Sequence, residues 1–322
     1  MAAPRGTARR DRGSGPGLPP LQRDGLPLGR GSVFALHAGR DDGDGDRGVP
    51  RAAPRTGRER RLSAREAGSA REPLSVLVTT KNEERTIRAC LESVRWAEEV
   101  VVVDSGSTDG TLPIARSIAD RVVDHEYENP AAQKNWALPQ LRHTWTLILD
   151  ADERVPPPLR SEIESVLADA GREDGYWIYR ENHFYGRPIR SAGWQRDKVL
   201  RLFDRTKGEY RPTMVHEEMV LRGREGFLRE RLVHEPYRDL DQYFEKWNRY
   251  SRWSAEDLRR RGVRASGSRL LVRPWLRFLR MYALEGGFRE GRRGMVLCWL
   301  AAFSVFTKYA RLWEAETRDE ER

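Results

Sequence analysis

The sequence predicts an α/β fold with a mainly parallel sheet wrapped by helices, and two observations carry this prediction. Short apolar strands alternate with helical segments from about residue 74 onward, at a spacing typical of parallel sheets. Two of these strands end abruptly in acidic and turn residues, at Asp104 and at Asp150. The carboxyl ends of parallel strands form the ligand crevice, so we expect both acidic clusters at one edge of the sheet.

The first half of this domain is predicted as strands separated by helices. Runs of Val, Ile and Leu bounded by turn residues indicate buried strands, and apolar residues at helical spacing lie between them. The strands are expected at residues 75–80, 100–103, 121–124 and 146–149. The helices are expected from a cap at Asn82 or a neighbour through Val94, over 111–119, over 130–138 behind Pro130, and after Pro156.

The pattern changes after Gly175, where glycines and charges separate strand-like segments. These segments cover residues 176–179, 198–203 and 215–221, and they predict a mixed or antiparallel sheet suited to acceptor binding. From Leu240 onward the sequence is helical, with many Arg and Trp residues.

Positive charge is concentrated at the N-terminus. Of the 322 residues, the first 72 contain fifteen arginines against nine acidic residues, so most of the net charge of +9 lies there. The simplest interpretation is a solvated, disordered Gly/Pro/Arg-rich tail. A mis-called start codon would also produce such a segment. The segment lacks the apolar stretch of a secretory signal.

The two cysteines, Cys90 and Cys298, lie in helical patterns without metal-ligand neighbours. We therefore predict reduced core thiols, which fits a cytoplasmic protein.

The most apolar segment runs from Met295 to Phe306 and is flanked by basic residues. It has about a dozen residues, whereas crossing a bilayer takes roughly 20. Two alternatives stay open, a helix packed on the domain and a helix lying in a membrane interface. The second would place the protein peripherally on the cytoplasmic face of the inner membrane, with Trp299 and Trp313 at the headgroup level.

Four motifs, taken together, resemble the family 2 glycosyltransferases, and most closely the lipopolysaccharide-core glucosyltransferase-like subset. They are Val78-Thr-Thr-Lys-Asn82-Glu83-Glu84, Val103-Asp104-Ser-Gly-Ser-Thr-Asp109-Gly-Thr, Gln133-Lys134-Asn135 and Leu149-Asp150-Ala-Asp152-Glu153. The resemblance covers roughly residues 74–250 and a helical C-terminal end. It implies a GT-A fold, a nucleotide-sugar donor and an inverting transfer.

The sequence pattern and the resemblance together predict a domain organisation. The chain divides into a tail (1–72), a GT-A domain (73–238) and a helical C-terminal region (239–322) that is a candidate for membrane contact. Within the domain, residues 73–153 form the nucleotide-sugar half and residues 154–238 the acceptor half.

The donor site implied by the resemblance lies at the ends of the first strands. Thr80 and Glu83 fall where the family lines the base pocket, and Asp104 falls at the end of the second strand. Ser105 stands where many members have a second acidic residue, and the lipopolysaccharide-core-like subset shows the same Asp-Ser pair. The complete predicted set of donor-binding residues is Thr80, Glu83, Asp104, Ser105, Asp109, Lys134 and Asp150.

The Asp-x-Asp motif, Asp150 and Asp152, is the predicted site for Mg²⁺ or Mn²⁺ bound together with the donor diphosphate. Such an ion stabilises the charge of the leaving diphosphate. His216 or His234 could close the metal site, although a structural histidine is as good an interpretation of either. Lys134 would add a point charge near the diphosphate.

Inversion needs a base on the acceptor side to take the proton of the attacking hydroxyl. Glu217 in Val215-His-Glu-Glu218 is the predicted base, with Glu218 or Asp197 in reserve. Trp194 is a candidate for stacking on an acceptor sugar, although tryptophans are more often part of a core.

Other functions compete with this one. Transfer to a polyprenyl phosphate usually comes with strong spanning segments, which the sequence lacks. Nucleic-acid binding through the tail predicts interleaved aromatics, but residues 1–72 contain only Phe34. An oxidoreductase would need Gly-x-Gly-x-x-Gly after the first strand, where Thr79-Thr-Lys-Asn stands. We therefore expect a nucleotide-sugar donor and a glycan or lipid-linked acceptor as partners, and no nucleic acid.

Overall fold

A computed structural model describes residues 71–211, 218–237 and 239–321 of the chain. Predictions that fall on residues 1–70, on 212–217, on Arg238 or on Arg322 lie outside the described residues. The strands are β1 (Leu74–Thr80), β2 (Glu99–Asp104), β3 (Arg121–Asp124), β4 (Trp145–Asp150), β5 (Glu153–Arg154), β6 (Gly175–Phe184), β7 (Arg187–Pro188), β8 (Lys198–Asp204), β9 (Gly208–Arg211), β10 (Glu218–Leu221) and β11 (Glu225–His234).

Helices lie between the strands and form the whole C-terminal region. They are α1 (Ile87–Glu92), α2 (Thr111–Ile118), α3 (Pro130–Ala137), α4 (Pro157–Leu167), α5 (Leu240–Arg260), α6 (Arg273–Leu279) and α7 (Gly291–Glu320). Short 3-10 turns cover Leu138–Gln140, Trp194–Arg196 and Gly287–Glu290, and π-helical stretches at Ser268–Val272 and Arg280–Leu284 flank α6.

The main sheet has the strand order β3-β2-β1-β4-β8-β6-β11-β5, and β7 pairs with β6. The four strands from β3 to β4 run parallel, as do β6 and β11, while β8 is antiparallel to both of its neighbours. The predicted α/β fold, parallel in its first half and mixed in its second, is confirmed. A separate two-stranded sheet joins β9 and β10.

The strands β1, β2 and β4 lie between two apolar layers. In β2, Val100 and Val102 face a layer that includes α1 and α4, whereas Val101 and Val103 face a layer that includes α3. Strands buried on both faces need near-continuous apolar sequence, which explains the four valines. The buried free thiol of Cys90 belongs to the first layer, and Cys298 is also buried and free, as predicted.

Asn82 does not cap α1, which is a correction to the sequence prediction. The helix begins at Ile87 with Thr86 before it, and Asn82 has a left-handed backbone with φ of 56°. Its side-chain oxygen accepts a hydrogen bond from the Thr108 amide at 2.8 Å, and its own amide donates to Ser107 Oγ at 2.8 Å. Asparagine tolerates this conformation, so Asn82 joins the loop after β1 to the loop after β2.

The strand β11 was not predicted, because four charged residues interrupt its apolar pattern. Its buried positions include Leu228 and Leu232, and it pairs in parallel with β6. His234 is the last residue of this strand.

The C-terminal helices pack on one another and on the domain. Tyr243 of α5 donates to the Leu300 carbonyl of α7 at 3.3 Å. One face of α7 is buried, including Leu297, Val305, Tyr309 and Leu312. The other face is apolar and exposed, including Met295, Trp299, Phe303, Phe306 and Trp313. Among the described residues, one helical stretch, Gly287–Glu320, is long and apolar enough to cross a membrane, and 44% of its apolar window is buried.

Candidate active site

The loop after β2 is organised by Asp104. This carboxylate is buried and accepts hydrogen bonds from the backbone amides of Gly106 and Ser107 at 2.8 and 2.7 Å. Ser105 Oγ is paired with the side-chain amide of Gln133 on α3. Both side chains therefore face the protein and hold the loop, and their contact with a donor stays a prediction.

The loop after β1 contributes Thr80 and Glu83. Thr80 is buried, and its hydroxyl has no hydrogen-bond partner among the described residues. A buried hydroxyl without a partner is costly, so this atom is a candidate ligand contact. The Glu83 carboxylate accepts from Thr86 Oγ1 at 3.0 Å. Asp109 accepts from the Thr111 backbone at 3.0 Å at the start of α2, which identifies it as a loop-holding residue.

Asp150, the first acid of the Asp-x-Asp motif, is neutralised by two cations of the protein. It ends β4 and accepts hydrogen bonds from Arg201 and, at 3.2 Å, from Lys134 Nζ. Burial alone would raise the pKa of Asp150, but Arg201 and Lys134 outweigh it and hold the pKa well below its ordinary value. Lys134 thus lies beside the motif, while its contact with a diphosphate stays a prediction.

Asp152 lies in the turn between β4 and β5 and has different partners. Asp152 Oδ1 lies 3.6 Å from His234 Nε2, and Oδ2 lies 3.4 Å from Lys246 Nζ on α5. Oδ1 is buried and has no hydrogen-bond partner among the described residues.

His234 is buried and its ring is oriented by Asn182. The Asn182 amide nitrogen donates to Asp197 at 2.8 Å, which leaves the Asn182 carbonyl oxygen to accept from His234 Nδ1. Burial lowers the pKa of His234, and Arg180 adds to the effect, so the imidazole is neutral at pH 7. With its proton on Nδ1, His234 turns the lone pair of Nε2 toward Asp152.

The two acceptor atoms that face each other, Asp152 Oδ1 and His234 Nε2, fit a divalent cation. Among the described residues no three His, Cys, Asp or Glu side chains converge on one point. A cation here would therefore complete its coordination with substrate phosphates, as Mg²⁺ commonly does. Asp150 would have to release Arg201 or Lys134 to join them.

Comparison with known proteins decides the family. The profile of Glycosyl transferase family 2 matches residues 75–220. Lipopolysaccharide core biosynthesis glycosyltransferase LpsC of Rhizobium meliloti (strain 1021) is 32% identical over 252 residues, which cover 74% of this chain and 93% of that protein. The chain belongs to glycosyltransferase family 2.

Two solved structures are similar to this family 2 glycosyltransferase. The S. aureus TarS 1-349 complex with UDP-GlcNAc has a TM-score of 0.40 and 17% identity, over 76% of this chain and 85% of that one. Glucosyl-3-phosphoglycerate synthase from Mycobacterium tuberculosis with Mn²⁺, UDP and phosphoglyceric acid has a TM-score of 0.30 and 24% identity, over 38% of this chain and 46% of that one. Neither likeness is close enough to assign a residue.

Asp197, the reserve candidate for the base, lies in an environment that argues against this role, which stays a prediction. Arg180 holds its two carboxylate oxygens at 2.8 and 2.9 Å, and Asn182 donates a third hydrogen bond at 2.8 Å. Burial alone would raise the pKa of Asp197, but Arg180 outweighs it and the pKa lies below its ordinary value. A carboxylate that is buried, paired and more acidic than usual is a poor proton acceptor.

Trp194 packs in the core, which favours the second of the two interpretations given for it from the sequence. It is buried, and its ring packs edge-on to Phe184 with the centroids 6.2 Å apart. A stacking role would need an exposed ring face, and burial removes it.

The acidic pair predicted on the acceptor side falls largely outside the described residues. His216 and Glu217 belong to residues 212–217, and for Glu218 the structure describes only the backbone, at the start of β10. Glu217 as base and His216 as ligand therefore stay predictions.

Sequence reasoning gave no role to five polar residues of this site. They are Glu153, Arg180, Asn182, Arg201 and Lys246. Glu153 is fully buried and accepts from Arg180 and Arg201 at 3.2 and 3.0 Å. A signal existed for two of them, because Arg180 and Asn182 occupy buried positions of the alternating strand β6, where apolar residues are the rule. Lys246 carried no signal, since one lysine in a charged helix is ordinary.

Proposed function

We propose that the protein transfers a sugar from a UDP-sugar to a hydroxyl of a lipid-linked or cell-envelope glycan, with inversion and with the help of Mg²⁺ or Mn²⁺. One observation carries this proposal. At the sheet edge where β1 and β4 end, the buried Oδ1 of Asp152 has no hydrogen-bond partner and faces the lone pair of His234. The acceptor class is inferred from the similarity to LpsC, a glycosyltransferase of lipopolysaccharide core biosynthesis.

The chemistry of the transfer explains this charge arrangement. Breaking the bond between the anomeric carbon and phosphate leaves negative charge on the diphosphate, which a bound divalent ion stabilises as a Lewis acid. Asp152 and His234 would hold that ion. Lys134 and Arg201 form ion pairs with Asp150 and compensate its negative charge. Asp150 therefore does not repel an incoming diphosphate. Asn182 fixes the tautomer that His234 needs as a ligand.

Glu217 is the proposed base. A single displacement with inversion places the base on the side opposite the leaving diphosphate, and Glu217 comes from the acceptor half of the sequence. Glu217→Gln keeps the size of the side chain but removes its basicity, so turnover should fall by roughly 10² or more while donor affinity persists. Turnover within a few-fold of wild type would move the assignment to Glu218.

A donor panel tests the proposed function. The purified protein is heated with Mn²⁺ and each of several UDP-, GDP- and CDP-sugars, and a bound donor should raise the melting temperature by mass action. The expected result is stabilisation by a UDP-sugar that is lost in EDTA. Stabilisation only by another nucleotide sugar would change the donor, and stabilisation by none would contradict the proposed function.

The C-terminal region is proposed to lie on the cytoplasmic face of the inner membrane. Two aromatic rings of α6 contact Trp299 of α7. The ring centroid of Trp299 lies 5.3 Å from that of Trp275 and 4.5 Å from that of Phe278, so α6 and α7 form one surface. Leu276, Leu279 and Phe303 extend it, each more than two-fifths exposed. Arg292 and Arg293 begin α7. An apolar face beside basic residues suits an anionic lipid interface.

Liposome flotation tests this location. Binding to anionic vesicles should exceed binding to neutral ones and weaken in high salt. The double variant Trp299→Ser, Phe303→Ser should lose binding, whereas Phe227→Ser, which removes an exposed aromatic residue from β11, should not. Equal behaviour of both variants would mean that the apolar face of α7 does not contact lipid.

A further inference from the structure

Lys246 reaches into the candidate donor site from α5. This helix begins after the last strand of the main sheet and is capped by Asp239, whose side chain accepts from the Gln242 amide at 2.8 Å. The Lys246 ammonium lies 3.4 Å from Asp152 Oδ2 and 3.6 Å from Glu83 Oε1, and it donates to the Pro236 carbonyl at 3.1 Å. Its side chain is 21% exposed.

The two carboxylates that Lys246 joins belong to different loops of the predicted donor site. Glu83 follows β1, on the side of the base pocket, and Asp152 follows β4, on the side of the leaving group. A nucleoside diphosphate that runs from one to the other must pass the ammonium group. Lys246 therefore lies where the diphosphate is expected.

The contacts of Lys246 are loose for a structural ion pair. Tight charge-assisted hydrogen bonds span about 2.7–2.9 Å, and both carboxylates are farther away than that. By contrast, Arg201 of β8 donates to both Asp150 and Glu153.

We propose that Lys246 belongs to the donor site and that its ammonium group binds the second phosphate of the donor's diphosphate. This inference rests on the proposed function. Asp152 and Glu83 hold the ammonium in place without saturating it, so that a phosphate oxygen can become its third anionic partner. An ammonium is a compact point charge that suits a phosphate oxygen.

The inference gives the C-terminal helical region a part in donor binding. Arg311 of α7 donates to Asn248 of α5 at 2.6 Å, and Tyr243 Oη lies 3.2 Å from Ser304 Oγ. These contacts fix α5 against α7, and α5 in turn presents Lys246 to Asp152. Donor affinity is thereby coupled to the packing of the two C-terminal helices.

Calorimetric titration with UDP and with UMP in the presence of Mn²⁺ tests the inference. The proteins are wild type, Lys246→Met, Lys246→Arg and the control Lys207→Met, which removes a lysine paired with Asp174 outside the site. Lys246→Met should weaken UDP binding by about 10- to 100-fold and change UMP binding less than about threefold, because UMP lacks the second phosphate. Lys246→Arg should recover part of the loss, and Lys207→Met should match wild type.

Several results would overturn the inference. Equal losses for UDP and UMP in Lys246→Met would show that the lysine only holds α5 in place, and unchanged UDP binding would show that it does not touch the diphosphate. If Lys246→Met does not fold, two other variants decide. Wild-type UDP affinity in Lys246→Arg, which keeps the positive charge, supports the inference. Wild-type UDP affinity in Lys246→Gln, which removes the charge, contradicts it. Failure of wild type to bind UDP would instead refute the proposed function, and this inference with it.

Discussion

At the scale of the residue, the sheet edge is a set of buried charges that match one another. Arg180 is 2% exposed and donates to both Glu153 and Asp197. Arg201 is nearly as buried and donates to Asp150 and Glu153. Removing one partner of such a set leaves another charge buried without compensation. The resulting loss of stability exceeds the net stability that the intact pair contributes.

Asp197→Ala should destabilise the protein by about 3 kcal/mol, because Arg180 would lose the carboxylate that binds it on two sides. For a domain of this size the melting temperature should fall by roughly 6–12 °C. The control is Glu164→Ala, which removes an exposed partner of Arg160 and should cost at most about 0.5 kcal/mol. Equal melting temperatures for the two variants would contradict the account of the buried charges.

The sequence predicted the acids of this site better than their partners. Asp150 and Asp152 were identified because carboxylates directly after an apolar strand fall at the ligand edge of a parallel sheet. The pairing of Asp197 was not predicted, because its partner, Arg180, is on a strand that precedes it by 17 residues. Pairings across the sheet depend on register, which periodicity alone does not reveal.

At the scale of the element, α7 combines two apolar faces with one buried lysine. Lys308 is 3% exposed, and its ammonium lies 5.2 Å from the ring centroid of Tyr309. Burial lowers the pKa of Lys308 to about 8, with Arg273 and Arg277 adding to the effect. The charged form is therefore disfavoured in the folded protein.

Lys308→Met should stabilise the protein at pH 7 by about 2 kcal/mol, or roughly 4–8 °C in melting temperature, because methionine fills the space without a buried charge. The pH dependence of the folding stability tests whether the charged form of Lys308 is destabilising. Between pH 8 and pH 10.5 the unfolded state binds more protons than the folded state, so wild-type stability should rise with pH in that window. The variant should lose this rise. A variant less stable than wild type at pH 7 would show that the folded protein stabilises the charged ammonium of Lys308.

The predicted elements agree with the structure wherever one face or both faces of an element are apolar. The parallel strands β1, β2 and β4 and the helix behind Pro130 were recognisable from local sequence alone. The strand β11 was not, because it pairs with β6 across a register shift and places charges at its exposed positions. Asn82 was misassigned for a similar reason, since its partners are 25 and 26 residues away.

At the scale of the whole molecule, we expect the N-terminal tail to be dispensable for folding and for donor hydrolysis. The C-terminal region, by contrast, is expected to be needed, because α5 presents Lys246 to the donor site. Deleting residues 1–70 should leave the melting temperature and the hydrolysis of donor unchanged, because the segment has too little apolar content to form a core. Calorimetry and a donor hydrolysis assay on the truncated protein measure both. A drop of several degrees would show that the tail docks on the domain.

The central claim is that a family 2 glycosyltransferase binds its donor diphosphate, through a divalent ion, at Asp152 and His234. The most direct measurement is release of UDP from a UDP-sugar by wild type and by Asp152→Asn, each with Mn²⁺ and with EDTA. We predict that the substitution lowers the rate by about 10²–10³-fold, as removal of one charge-stabilising group does elsewhere. EDTA should abolish wild-type activity, and the melting temperature of the metal-free variant should stay within about 2 °C of wild type. A wild-type rate that is equal in EDTA and Mn²⁺, or a variant within a few-fold of wild type, would contradict the claim.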